Sequence, residues 1–245
     1  MEIKKDAKNA GFEDTGGELQ IWQWRQSPST VAAAGAAIVT SARFSSILWT
    51  PYALEGRAPA GCIIGGMLDG SIVVWNALQL LQQNDNDDKN NHNNSSNDDH
   101  DGDSSAIVFH LPSLNNHGPV SCLAWNPLEP WHIALGTSHG QAYFVDLADA
   151  TPALQTMNRH PTEVTAVAWN SQVPHICATA STNDVTVWDI KAKKPWSELR
   201  TQSTTDLQWN PRQGLHLLTA DGPVVTVWDL AASTTLPVAQ LAVHQ

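Results

Sequence analysis

The stretch from Val164 to Ile190, VTAVAWNSQVPHICATASTNDVTVWDI, limits the possible fold more than any other part of the chain. Its first run alternates apolar and polar residues up to Trp169 and is followed by Asn170, Ser171 and Pro174. A middle run covers Ile176 to Ala180, then Ser181-Thr182-Asn183-Asp184 forms a turn, and Val185 to Trp188 leads into Asp189. Alternation over such short runs, bounded by Asn, Ser, Asp and Pro, predicts β-strands rather than helices. The same layout returns elsewhere. SCLAWNP around Trp125 and TDLQWNP around Trp209 copy the first half, and SILWTP around Trp49 copies it more loosely. TVWDL around Trp228 and Asp229, VVWN at Trp75 and LQIW at Trp22 copy the second half.

A Trp-Asp ending on a unit of this size is the signature of a propeller blade, whose period is about 40–45 residues. The expected fold is therefore an all-β WD-repeat β-propeller with about five recognisable blades. Its start is frayed, and the closing residues Leu241 to Gln245 echo the run that announces earlier blades at His117 and His160. That pattern leads to the expectation of a fragment of a seven-bladed propeller.

Residues 1–17 read as an irregular leader and 18–245 as the partial propeller. Leu19 to Trp24 reads as one closing strand, and residues 26–41 fit either a strand with a loop or a short helix. In the next unit, Asp69-Gly70 reads as a two-residue hairpin turn. Residues 82–105 contain no apolar side chain, so burial cannot offset their ordering entropy and disorder is expected. This insert is expected between two blades. Its acidic run suggests a calcium loop at first sight, but twelve positions counted from Asp99 end on His110 rather than Glu.

Composition narrows function more than fold. Eleven tryptophans are explained by the repeat, where large aromatics pack sheet on sheet. A net charge of −11 disfavours nucleic acid and anionic membrane as direct partners. Cys62, Cys122 and Cys177 sit apart in apolar runs and read as buried thiols. With no apolar run of membrane-spanning length and no signal-peptide core, a cytoplasmic protein is the default. His132, His175 and His216 fall at one repeat position, hence on separate blades where they cannot share a metal. No nucleophile elbow, phosphate loop or dinucleotide fingerprint is present. The expectation is no enzyme, no cofactor and no metal.

In many WD-type blades a histidine before the first strand bonds an aspartate in the tight turn; His117 and His160 fit that role. Asp69 stands six residues before its tryptophan as the pattern asks, but Asp184 stands four before and Asp221 seven, so the network is expected to be incomplete. Ligase-recruiting WD proteins often carry Arg two residues after the Trp-Asp aspartate. Here Lys191 and Ala231 stand there.

On these residues the chain resembles the N-terminal propeller of the larger outer-coat subunit of COPII vesicles, the Sec-thirty-one type. Val164 to Trp196 carries most of the likeness, because the tail Lys191-Ala192-Lys193-Lys194 is not demanded by propeller physics. GELQIW, GGMLDGSIVVWNALQLL and the stretch from His117 to Leu147 add to it, although Phe144-Val145-Asp146 lacks the usual tryptophan. The resemblance implies a scaffold in ER-to-Golgi transport. Its partners would be a small WD propeller of the Sec-thirteen type and the inner coat, at ER exit sites and peripheral to the membrane. A generic WD adaptor in a ligase or chromatin complex is the alternative.

Overall fold

The computed structural model describes residues 16–26, 29–33, 37–53, 56, 58–82, 106–112, 117–149, 155–156 and 160–242. Residues 1–15 of the leader, most of the insert and the calcium-like run lie outside these residues, and Gly17 of the leader opens the first strand. Four antiparallel sheets of four strands each follow one another along the chain.

The first complete blade is β5 (Phe44–Thr50), β6 (Cys62–Met67), β7 (Ile72–Asn76) and β8 (Ile107–Leu111), with the short helix α1 (Ala77–Gln82) after β7. The second is β9 (Val120–Trp125), β10 (His132–Thr137), β11 (Ala142–Asp146) and β12 (Gln155–Thr156). The third is β13 (Val164–Trp169), β14 (Ile176–Ser181), β15 (Asp184–Asp189) and β16 (Lys194–Arg200). The fourth is β17 (Thr204–Trp209), β18 (His216–Asp221), β19 (Val224–Asp229) and β20 (Ala239–Ala242). Ahead of them β1 (Gly17–Leu19) pairs with β4 (Ile38–Thr40), and β2 (Trp22–Gln26) with β3 (Ser29–Ala33). Together these make a two-stranded ribbon, half a blade wide.

Several sequence expectations need correction. The run from Leu19 to Trp24 is not one strand but breaks at Gln20-Ile21, and two strands, not a helix, lie within residues 26–41. The Trp-Asp pair, replaced by Trp75-Asn76 in the first sheet and Val145-Asp146 in the second, ends the third strand of its sheet, and a fourth strand follows it. The stretch from Val164 to Ile190 therefore covers three strands of its sheet, and the fourth, β16, lies beyond it. It follows that the insert lies inside a blade, because β7 before it and β8 after it are paired neighbours. The Asp69-Gly70 hairpin is a three-residue loop rather than a two-residue one. Gly70 N–H bonds Met67 O at 3.1 Å, Met67 N–H bonds Ser71 O, and Gly70 takes a left-handed φ of 84°. A type I turn closed by a left-handed residue has this form.

The core lies between blades rather than within one. The face of the first blade carrying Cys62, Ile64, Ile72 and Val74 packs on Val120, Ile133, Leu135 and Tyr143 of the second. Ala134 and Phe144 of the second meet Trp169 and Cys177 of the third. Ala178, Val185, Val187 and Leu199 of the third meet Leu207, Trp209, Leu217 and Trp228 of the fourth. The ribbon contributes Leu19 and Ile38 to a cluster with Ile63, Val73 and Trp75 on the outer face of the first blade. Both faces of a strand are thus buried, which is why β6, β7 and β14 read as continuous apolar runs. Close approach needs small residues at fixed places: a Cβ on Gly66 would lie 2.5 Å from Val120, and one on Gly136 2.3 Å from Val164.

Candidate functional site

Two arrays of polar groups recur from blade to blade, and both are assembled only by folding. The first sits at the start of each inner strand. The register slips by one residue at Ser45, Ser121, Thr165 and Thr205, leaving each as a bulge. A bulge re-aims its side chain, and here it turns a hydroxyl towards the neighbouring blade. Ser45 Oγ donates to Val120 O at 2.5 Å, Ser121 Oγ to Val164 O at 2.5 Å and Thr165 Oγ1 to Thr204 O at 2.9 Å. Thr205, on the last blade, bonds Ala220 O of its own sheet at 3.3 Å.

The residue after each inner-strand tryptophan extends the same stitching. Asn126 Nδ2 donates to Pro174 O at 2.7 Å and Asn170 Nδ2 to Gly214 O at 2.6 Å, while each Oδ1 caps its own turn. Thr50 takes that place in the first blade and donates to Pro130 O at 3.0 Å. The tryptophans point the other way along the arc. Trp169 Nε1 donates to Ala124 O and Trp209 Nε1 to Ala168 O, at 3.2 and 3.1 Å.

The second array is the histidine network, and in the third blade it is complete, contrary to the spacing argument. His160 Nδ1 meets Asp184 Oδ2 at 2.7 Å, and Nε2 meets Thr179 Oγ1 at 2.6 Å. Trp188 Nε1 donates to the same Thr179 hydroxyl at 2.7 Å, and Ser181 Oγ donates to Asp184 Oδ1. Four spacer residues suffice because the tight turn is short. In the fourth blade Asp221 accepts from the hydroxyls of Thr204, Thr219 and Thr226, and Thr219 accepts from Trp228. No histidine is needed there.

The first two blades depart from this plan in ways that explain each other. In the second blade Leu135 and Val145 occupy the register positions of Thr179 and Trp188. Tyr143 fills the space, stacking on His117 with ring centroids 5.2 Å apart, its hydroxyl 3.4 Å from Nε2. His117 Nδ1 is buried without a partner. In the first blade Gly65 stands where Thr179 stands in the third, because a side chain there would strike Phe44 and Trp75. Trp75 Nε1 is consequently buried with no acceptor. Asp69 accepts from the backbone N–H and hydroxyl of Ser71, at 2.9 and 2.6 Å.

Other singled-out residues fall as follows. Trp75, Trp169, Trp188, Trp209 and Trp228 are buried, Trp125 is half-buried, and Trp22 and Trp49 are exposed at the ribbon end. His132 and His216 do share a repeat position, each facing the aspartate that ends the third strand of its own blade (Asp146, Asp229). Ile176, not His175, fills that position in the third blade. Asp189 and Asp229 cap turns, accepting from Ala192 at 2.8 Å and Ala231 at 2.9 Å. The Ala231 N–H holds the Asp229 carboxyl below the usual carboxylate range. Burial pushes the Cys62 thiol up to about 11 and Cys122 up to about 12, and raises Cys177 as well. Such thiols are poor nucleophiles. Among the described residues no group of three or more His, Cys, Asp or Glu could hold a metal, and no helix is long and apolar enough to cross a membrane.

What this arrangement offers is a stiff surface with buried polar staples. The staples were missed in the sequence. The signal that could have found them is a Ser or Thr four residues before each inner-strand tryptophan and an Asn or Thr just after it.

Comparison with known proteins gives the same architecture. The profile of the family described as "Eukaryotic translation initiation factor eIF2A" matches residues 67–236. Protein transport protein SEC31 of Chaetomium globosum is 30% identical over 81% of the chain, and that of Dictyostelium discoideum is 28% identical over 84%. The chain spans only 14% and 15% of the length of these two relatives. A chain in the crystal structure of a mitotic checkpoint complex superposes with a TM-score of 0.66 at 18% identity, covering 93% of this chain and 59% of that one. That likeness establishes the fold, an all-β WD-type propeller.

Proposed function

The chain belongs to the family described as eukaryotic translation initiation factor eIF2A, and we propose that it acts as a non-enzymatic propeller scaffold of a vesicle coat. The single observation that carries the reading is its similarity, along more than four-fifths of its length, to relatives named protein transport protein SEC31. The side-chain chemistry agrees. The His–Asp pairs His132–Asp146, His160–Asp184 and His216–Asp229 each lie within one blade. A rigid propeller rim suits many weak contacts whose strength comes from multivalency.

By resemblance, its partners are other COPII subunits, a small WD propeller of the Sec-thirteen type and the inner coat, at ER exit sites. The test is a pull-down of the endogenous protein with an antibody against residues 164–196, followed by sizing and mass spectrometry. Recovery of a small WD propeller together with inner-coat subunits is expected. Recovery of ribosomal subunits instead would move the reading to translation, and recovery of ligase or chromatin subunits would move it to a generic adaptor.

A further inference from the structure

The turn after the aspartate that ends the third strand does the same structural job in three blades, and only one of the three carries basic residues. In the second blade Asp146 caps Ala148 N–H, and in the fourth Asp229 caps Ala231 N–H, both at 2.9 Å. In the third blade Asp189 caps Ala192 N–H at 2.8 Å, but the turn is Ile190-Lys191-Ala192-Lys193, with Lys194 opening β16. The fold therefore needs the aspartate and nothing basic, as the neutral Leu230-Ala231-Ala232-Ser233 of the fourth blade demonstrates. Three of the chain's 13 Lys and Arg residues nonetheless fall within four positions here, and all three are exposed. Lys193 even takes a left-handed φ of 54°, where glycine would be the easier residue.

The strand that follows adds an apolar element. On β16 the alternate residues Ser197 and Leu199 are buried, Leu199 in the cluster shared with the fourth blade. Ser197 Oγ also ties the strand to Thr234 O of the fourth blade at 2.7 Å. Lys194, Trp196, Glu198 and Arg200 are exposed, and Trp196 is the extra residue of a β-bulge between Pro195 and Ser197. Trp196 is 42% exposed, unlike the buried tryptophans of the same blade. Pro195 removes a backbone donor from this edge, so strand addition is disfavoured and side chains must do the binding.

We propose that Lys191, Lys193, Lys194 and Trp196 form a docking site for a short acidic peptide that carries one apolar side chain. The lysines supply the charge complement and the exposed indole face supplies the apolar contact. The exposed Glu198 two residues beyond Trp196, and a net charge of −11 overall, make a broad polyanion a worse match than a short segment. Three lysines also fall short of the four to eight usual in lipid-binding clusters.

The test is fluorescence anisotropy of a labelled nonapeptide of Glu and Asp with a central Leu, titrated with the full chain at low and moderate salt. Binding that weakens with salt is expected. Charge reversal of all three lysines (K191E, K193E, K194E) is expected to weaken it about tenfold or more, and Trp196→Ala about threefold or more. Melting temperatures report whether the variants fold, and Arg212→Glu on another blade provides a charge-reversal control. Absence of peptide binding, or equal loss in the Arg212→Glu control, would overturn the proposal. So would lysine-dependent sedimentation with phosphatidylserine vesicles in the absence of peptide binding, which would assign the patch to a membrane surface.

Discussion

The third and fourth blades carry nearly the same sequence pattern but differ in what lies against them. In the third, Ala178, Ala180, Val185, Val187 and Leu199 are packed against the next sheet. By register their counterparts in the fourth are Leu218, Ala220, Val225, Val227 and Leu241, and Leu218 and Leu241 are exposed. The ribbon end has the matching contrast. Trp169 and Trp209 bury against a complete preceding blade and donate to its carbonyls, whereas Trp49 is 49% exposed and donates to Ala60 O of its own blade at 2.9 Å. One motif thus has different energetic weight according to its neighbour. Stability in this molecule is a property of interfaces between repeats more than of the repeats themselves.

Tryptophan truncation gives the largest way to break that comparison. Trp209→Ala removes a buried ring and leaves Ala168 O without its donor, at an expected cost of about 3–5 kcal/mol. Trp49→Ala is expected to cost less than about 1 kcal/mol. Urea midpoints of the two variants measure the difference, and equal costs would contradict the interface account.

The histidine networks sharpen it further. Thr179→Val removes the hydroxyl that bonds His160 Nε2 and accepts from Trp188 Nε1, so a loss of about 2–3 kcal/mol is expected. His117→Ala, in the blade whose network is degenerate, is expected to cost about 1 kcal/mol, because one ring nitrogen is already unpartnered. Thermal unfolding read by near-ultraviolet circular dichroism would separate the two.

A smaller effect depends on pH. Burial raises the folded pKa of Cys62 from 9.0 to about 11, so folding favours the protonated thiol. That contribution is complete below the unfolded value and is lost as pH rises through the folded one. By pH 10 it amounts to roughly 1 kcal/mol. The urea midpoint of the wild type is expected to fall more steeply between pH 8.5 and pH 10.5 than that of Cys62→Ala. Parallel slopes would remove Cys62 as the cause.

The smallest expected change is a gain. Lys193→Gly relieves a left-handed residue and should stabilise the third blade by about 0.5 kcal/mol, visible as a slightly raised midpoint. An unchanged or lower midpoint would mean that the lysine's own contacts outweigh its backbone conformation.

Much of the fold was legible because strand alternation and turn chemistry act over a few residues. The inner and third strands lie where the tryptophans and the Asn, Pro and Asp punctuation placed them, as Val164–Trp169 and Asp184–Asp189 illustrate. The outer strands were less legible. Gln155–Thr156 is two residues long, and Ala239–Ala242 is exposed throughout, so neither carries a burial pattern. Of the histidine network, residue type was readable but geometry was not: Asp184 looked misplaced by two positions until the turn brought it to His160.

The sequence by itself determined the period, the strand ends and the aromatic positions, because each follows from local backbone preference and the side chain's need for burial. Only the tertiary structure decided which polar groups meet. Ser121 and Val164, or Asn170 and Gly214, are more than forty residues apart, and no local rule pairs them. Sheet packing brings them within hydrogen-bonding distance, and once the surrounding apolar faces exclude water, those carbonyls and hydroxyls have each other as partners.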